Sequence, residues 1–337
     1  MSLKPNENRS FRTTLGAAIV MTASFLIGAR PSVAIDCPAA STLQDKAICS
    51  DPAAKSSDSR MTDAFVSLRS RLPQADREAL VVDQRHWLSE RNDNCTYDVT
   101  GEPVSGAALS SCLKKESEQR RMFLSAQPLD GPGLSSALRP FFIMGKDGRV
   151  ISGLRFPAPK SQGEEIFNHA VDHQIADINI AKNRDDDMTN NFTMRLLYAS
   201  PKLISAEVVI SYPASAHPAD HSIYLNADLS AGTMLAFDDV FRSDVLEALF
   251  EMCRPQLDNF IGKSAEADLD DGDMRGSIMR DREKLVRTSI GDMTRWSLGV
   301  NQMTLNIDDD TASRETSICR LDTNQIRPLM RSGFNLK

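Results

Sequence analysis

The sequence predicts an all-α, disulfide-stapled helical bundle followed by an α+β domain with an antiparallel sheet. Three observations carry this expectation. Apolar residues recur at helical spacing up to about residue 126 and alternate in strand fashion beyond it. Between the two regimes stands Gln127-Pro128-Leu129-Asp130-Gly131-Pro132-Gly133, the clearest linker of the chain. The six cysteines divide four to two across that linker. A length of 337 residues leaves room for about two domains. With 25% charged and 41% hydrophobic residues, composition argues against wholesale disorder. A formal net charge of -7 excludes nucleic acid as the expected partner, because phosphate neutralisation needs a basic face. The expected boundaries are 1–34 for a signal peptide, 35–126 for the bundle, 127–136 for the linker and 137–337 for the α+β domain.

The first segment reads as an export signal. Lys4, Arg9 and Arg12 precede a 13-residue apolar run, Leu15 to Ile27, too short to cross about 30 Å of hydrocarbon comfortably. Ser32-Val33-Ala34 supplies the small residues of a cleavage site, so the mature chain would begin at Ile35. Two alternatives stay open. One is an uncleaved anchor; the other is lipidation of Cys37, for which Asp36 is a poor preceding residue. No membrane span is expected in the mature protein, and its place is periplasmic or secreted.

Within the bundle, Ser41 can cap a short helix through Cys49, which Asp51-Pro52 then breaks. Asp58 stands where the next N-cap belongs, and Met61, Ala64, Phe65 and Leu68 follow on one face. Pro73 stops that helix. A further one runs from about Asp76 to Asn94 and carries Leu80, Gln84, Trp87, Leu88 and Arg91, and the last covers about Ala107 to Ser125.

Past the linker, Phe141–Met144 and Val150–Leu154 form a hairpin and 164–181 a helix. Phe192–Ala199 and Leu203–Tyr212 pair across Ser200-Pro201. Short strands at Tyr224–Leu229 and Met234–Phe237 lead to a helix over 244–260 and another over 281–290. Strands at Trp296–Ile307 and Thr316–Arg320 close the sheet, and a last helical turn follows Asp322.

Export places the cysteines in an oxidising compartment, so disulfides are expected. Cys37, Cys49, Cys95 and Cys112 allow three connectivities. Short loop closure favours Cys37–Cys49 and Cys95–Cys112, leaving Cys253 and Cys319 for each other. No CxxC motif or zinc-like Cys/His spacing occurs.

Gln84, Trp87, Arg91 and Cys95 share one side of a helix, which on physical grounds is mostly architecture. Together with Cys37, Cys49-Ser50-Asp51-Pro52, Asp58, Cys112 and Gln119-Arg120-Arg121-Met122-Phe123-Leu124, this ordered set resembles the LprI-type lysozyme-inhibitor domain over residues 37–126. The resemblance implies an exported helical domain and, for the family's namesake, inhibition of lysozyme. Phe65 stands where that family often has tyrosine. Tyr212-Pro213-Ala214-Ser215-Ala216-His217-Pro218, Asn226-Ala227-Asp228-Leu229-Ser230-Ala231-Gly232 and Phe237-Asp238-Asp239-Val240-Phe241 look similar to the C-terminal domain of RsiV-type anti-sigma factors and of some exported peptidoglycan deacetylases. In the RsiV case that domain is a lysozyme receptor. Pro213-Ala214-Ser215 departs from the usual tyrosine/glycine pair there.

Charge supplies an argument independent of resemblance. Removing residues 1–34 takes away four basic residues and one acidic residue and leaves a formal charge of -10. Residues 37–127 hold 13 acidic and 12 basic residues, so most of the excess lies beyond them, in runs such as Asp185-Asp186-Asp187 and Asp308-Asp309-Asp310. An acidic surface favours encounter with a cationic protein, and animal-type lysozymes are cationic. The same runs also suit solvated loops with no partner.

The expected function is therefore an exported protein that binds and inhibits lysozyme or another cationic wall-cleaving enzyme. It is not expected to be an enzyme or to need a cofactor. The turn with His217, Pro218, Asp220 and His221 is the expected contact, since turn tips commonly carry binding. One alternative is an envelope sensor or scaffold that binds glycan or protein without inhibition. A zinc hydrolase built on His169 and His173 is the other, and it lacks a third ligand. Asp268-Leu269-Asp270-Asp271-Gly272-Asp273 hints at calcium but lacks the EF-hand spacing. Non-reducing mass spectrometry of the exported protein is expected to show a chain starting at Ile35 with no free thiol. A longer chain or a titratable cysteine would count against this reading.

Overall fold

A computed structural model of the chain describes residues 35–97, 102–134, 137–145, 148–182, 191–212, 219–265, 272–307 and 316–336. Residues 1–34, where the export signal is expected, lie outside the described residues. The N-terminal region is helical: α1 (Leu43–Ser50), α2 (Pro52–Arg71), α3 (Gln74–Thr96) and α4 (Gly106–Leu124). Its helix starts differ from the sequence expectation at two points. Thr42, not Ser41, caps α1 by accepting the Asp45 amide at 3.0 Å. Asp51 caps α2, its carboxylate accepting the amides of Ala53 at 2.7 Å and Ala54 at 3.1 Å. Pro52 fills the first turn, where its missing N–H costs nothing. Asp-Pro therefore ends one helix and starts the next, so Asp58 is no cap and lies buried in the interior of α2.

The C-terminal region is built on antiparallel sheets. β1 (Arg139–Met144) and β2 (Val150–Arg155) form a hairpin, followed by α5 (Gln162–Lys182). β3 (Asn191–Ala199), β4 (Leu203–Tyr212), β5 (Ala219–Asp228) and β6 (Thr233–Met234) make a four-stranded meander in that order. After α6 (Phe237–Val240), α7 (Leu246–Ala265) and α8 (Gly272–Ile290), a second meander of β7 (Trp296–Ser297), β8 (Gln302–Ile307) and β9 (Thr316–Asp322) leads into α9 (Thr323–Ile326).

Several of these elements depart from the expected ones, and β5 begins at Ala219, five residues before the expected Tyr224. The strand expected over Met234–Phe237 stops at Met234, because the Asp239 carboxylate accepts the Ala236 amide at 2.8 Å and turns the chain into α6. The single strand expected over Trp296–Ile307 is a hairpin. Its middle leaves the ladder because the Leu298 amide bonds Ser205 Oγ at 3.3 Å and the Val300 amide bonds the Asp130 carboxylate at 2.6 Å. α8 begins at Gly272, nine residues before the expected 281, and α7 runs through Pro255 to Ala265.

Packing is continuous from the helices into the first sheet. Met61, Phe65, Leu68, Leu80, Phe123 and Leu124 share a core with Phe142, Leu154, Phe167, Phe192 and Leu196. Phe123 meets Phe142 edge-on at 6.2 Å. The segment 127–133 lies along β3: the Leu129 amide bonds the Leu196 carbonyl at 3.0 Å, and the Asp130 amide bonds that of Leu197 at 2.9 Å. A second core gathers Phe241, Leu249, Trp296, Leu305 and Leu321 around the Cys253–Cys319 disulfide. A third and smaller one holds Ala47, Ile48, Cys95, Leu109 and Leu113 at the far end of the bundle.

The start of α5 seats on the turn after β5 with no room to spare. A Cβ on Gly163 would stand 2.3 Å from the Leu229 carbonyl oxygen. Gly163→Ala is expected to lower stability by about 1–3 kcal/mol, as overpacking does. Chemical denaturation should show a lower midpoint with an unchanged slope.

Candidate functional site

The motif residues of the bundle converge on α3, which presents Asp83, Gln84, Trp87 and Arg91 along its inner side. Helical spacing brings these four together. Arg91 Nη1 donates to the Asp58 carboxylate of α2 at 3.0 Å and to Ser117 Oγ of α4 at 3.4 Å. Its Nε and Nη2 reach Asn92 Oδ1 at 3.3 and 3.2 Å. One turn along, Arg120 of α4 donates through Nε to Gln84 Oε1 at 2.9 Å and through Nη2 to Asp83. Gln84 Nε2 points the other way, to Met61 Sδ of α2 at 3.3 Å. The Trp87 ring lies between the two guanidiniums, 5.2 Å from Arg91 and 5.5 Å from Arg120.

Both ion pairs are buried, with the Arg91 side chain 3% exposed and that of Asp58 5%. Two desolvated charge pairs in a small bundle are costly to assemble and more costly to break singly. Their effect is to specify how α2, α3 and α4 stack. Asp58, Gln84, Trp87 and Arg91 are thus brought together as an internal framework and not as an open cleft. Asp83, Ser117 and Arg120 belong to the same framework: Arg120 lies in the Gln119 to Leu124 stretch of the resemblance, whereas Asp83 and Ser117 are not among the residues the sequence singles out. Their helical spacing with Gln84 on α3, and with Leu113 and Phe123 on α4, is the signal that could have found them.

The cysteines pair as Cys37–Cys49, Cys95–Cys112 and Cys253–Cys319. Two disulfides bracket the small core at the bundle end, and the third joins α7 to β9. His217 and Pro218 lie outside the described residues. Asp220 and His221 open β5, in register with Ser211 and Ile210 of β4. The motif that follows is explained by architecture. Asn226 Nδ2 donates to the carbonyls of Met293 and Trp296, both at 2.8 Å, and so ties β5 to the second core. The Asp228 carboxylate accepts from the Ser230 amide and hydroxyl and from the Ala231 amide, closing the turn before β6. Burial pushes that carboxyl up, but these hydrogen bonds and the charge of Lys202 outweigh it and hold Asp228 below its ordinary value. Gly232 adopts φ of 72°, a left-handed conformation that suits glycine.

His169 and His173 are exposed on α5, and the Asp172 carboxylate between them accepts from Arg155 Nη2 at 2.8 Å in an ion pair. Among the described residues no group of three His, Cys, Asp or Glu side chains is placed to hold a metal ion. Asp185-Asp186-Asp187, Asp308-Asp309-Asp310 and most of the Asp268 to Asp273 run lie outside the described residues. Glu164 and Glu207 are buried carboxylates that the sequence does not single out. Glu207 of β4 bonds Arg195 Nε at 2.5 Å and lies near Ser222 Oγ and Tyr224 Oη of β5. A shallow depression between α4 and β3, lined by Gln119, Phe123, Leu129 and Arg195, has no charged cluster of catalytic type.

Residues 37–124 match the family Lysozyme inhibitor LprI. The match covers the four helices, both N-terminal disulfides and the whole Asp58–Arg91 framework, about a quarter of the chain. Two solved structures are similar to a larger share of it. A member of the DUF3298 family from Bacteroides fragilis has 11% identity and a TM-score of 0.37, covering 59% of this chain and 95% of its own. A DUF3298 family protein from Pseudomonas aeruginosa PAO1 has 12% identity and a TM-score of 0.35, covering 60% and 95%. Among curated proteins no sequence matches this chain.

The LprI framework yields a stability test. Asp58→Ala or Arg91→Ala is expected to destabilise by about 3–5 kcal/mol, because each strands a buried charge. Replacing both with apolar residues, Asp58→Leu with Arg91→Met, should recover most of that loss. A double-mutant cycle in denaturant measures the coupling.

Proposed function

We propose that the protein is an exported inhibitor of lysozyme or of a related peptidoglycan-cleaving enzyme, acting by binding and not by catalysis. The observation that carries this reading is the LprI match over residues 37–124. The bundle it covers is stapled by two disulfides, as suits a protein working outside the cytoplasm. Export follows cleavage near Ala34 in this reading. The mature chain's formal charge of -10 supports a cationic partner, since opposite charge speeds encounter and orients docking. The similarity of residues 140–332 to the RsiV-type domain belongs to the same proposal. So does the β4–β5 connection with His217, Pro218, Asp220 and His221 as a contact on the sheet.

Inhibition is stoichiometric in this mechanism. The inhibitor covers the substrate cleft and leaves the enzyme's chemistry intact, so added inhibitor removes active enzyme one for one once the concentrations exceed Kd. Titrating the purified mature protein into a cell-wall lysis assay with a cationic animal-type lysozyme should abolish activity and show weaker inhibition as salt rises. Full lysozyme activity with no binding at micromolar protein would refute the proposal.

A further inference from the structure

We propose that Gln256 guides the pairing of Cys253 with Cys319, aligning the two cysteines before their disulfide forms. The proposal stands independently of the inhibitor reading.

The three disulfides differ in how far apart their cysteines lie in sequence. Cys37–Cys49 and Cys95–Cys112 have separations of 12 and 17, short loops that chain proximity favours by itself. Cys253 and Cys319 are 66 residues apart, on α7 and β9. Connectivity favours neither of them strongly over a wrong partner, so their alignment has to come from contacts between helix and strand.

Gln256 supplies such a contact. It follows Cys253 by three residues on α7, which places both on one side of the helix. Its side-chain amide takes both backbone groups of Arg320, the residue after Cys319. Nε2 donates to the Arg320 carbonyl at 3.0 Å, and Oε1 accepts the Arg320 amide at 2.9 Å. Among the described residues β9 is the outer strand of its sheet, so this amide bonds the strand as a further strand would. Nε2 also lies 4.0 Å from Cys319 Sγ.

Both elements are loosened where the cysteines sit. Leu305 of β8 pairs with Cys319, but the next residue, Asn306, pairs with Ser317 and skips Ile318. The irregularity interrupts the ladder on one side of Cys319. On α7, Pro255 has no N–H to give to the helix two residues after Cys253. Gln256 bonds beside both weak points. Cys253 and Cys319 are fully buried, whereas Gln256 is exposed. Its two bonds therefore hold the joint from outside the core, and they do not require the sulfurs to be linked.

Pairing proceeds by thiol–disulfide exchange with a small disulfide oxidant such as glutathione disulfide. One cysteine thiolate attacks the oxidant and releases the first glutathione thiol. The second cysteine attacks the mixed disulfide and releases the other. Two protein thiols are oxidised, and one oxidant disulfide is reduced to two thiols. The second step depends on the effective concentration of one cysteine at the other, which Gln256 raises.

The test equilibrates the mature protein in glutathione buffers of graded ratio and reads each disulfide by thiol trapping and peptide mass spectrometry. Gln256→Ala is expected to lower the equilibrium constant for Cys253–Cys319 by about tenfold, the size of two lost hydrogen bonds. Cys37–Cys49 and Cys95–Cys112 should shift by less than about twofold, as distant sites do. Gln256→Glu keeps an acceptor for the Arg320 amide but no donor for its carbonyl, and should fall between. Gly163→Ala lowers stability away from this joint and should leave Cys253–Cys319 within about twofold. On reoxidation of the reduced chain, Gln256→Ala should also join Cys253 to a wrong cysteine more often than the native protein does. An unchanged Cys253–Cys319 equilibrium in Gln256→Ala overturns the proposal. An equal shift of all three disulfides overturns it as well, because that marks a general loss of stability.

Discussion

The buried pair between Arg91 and Asp58 is the constraint on which the helical region depends. A guanidinium and a carboxylate removed from water tolerate one arrangement, and it places α2 against α3 at a single depth and register. Ser117 of α4 shares the same guanidinium, and Arg120 repeats the device one turn along with Asp83 and Gln84. Trp87 then has a fixed slot between two cations. Because α4 is held this way, Phe123 faces Phe142 of β1, and the helices share their core with the first sheet.

The disulfides work where this framework ends. At the far end of the bundle the core shrinks to five buried residues, too few to order the chain alone, and two disulfides close loops around it. In the second core, Cys253–Cys319 closes a loop of 66 residues between α7 and β9, restricting the unfolded chain most where local structure restricts it least. Cross-linked ends thus sit on an internally braced body.

Much of this was legible residue by residue, and the exceptions have physical causes. Cysteine spacing pointed to short loops, and those loops close. Helical periodicity located α3 and α4 because their apolar faces are long. Asp58 looks like a cap in sequence because Asp before a helix and Asp inside one are alike until its partner, 33 residues away in sequence, is known. The hairpin inside 296–307 was invisible because the groups that pull its middle from the ladder, Ser205 and Asp130, come from distant segments. In the Asn226 to Gly232 stretch, Asn226 Nδ2 ties β5 to the second core and Asp228 closes a turn, and the Asn226 Oδ1 beside them is buried without a partner. Arg120 stands in the stretch that carries the family resemblance, but its partner Asp83 does not, and their pairing joins residues 37 positions apart.

The sequence by itself determined the helical-then-antiparallel order of elements and the acidic excess of the chain, and it favoured the short-loop cysteine pairs while leaving three connectivities open. Order and charge follow from local periodicity and a sum of charges, neither of which needs distant neighbours. Only the tertiary structure decided the cysteine pairing and buried the motif residues with their partners, Arg91 with Asp58 and Arg120 with Asp83. Burial is a property of what other segments cover, and no stretch of chain carries that information alone.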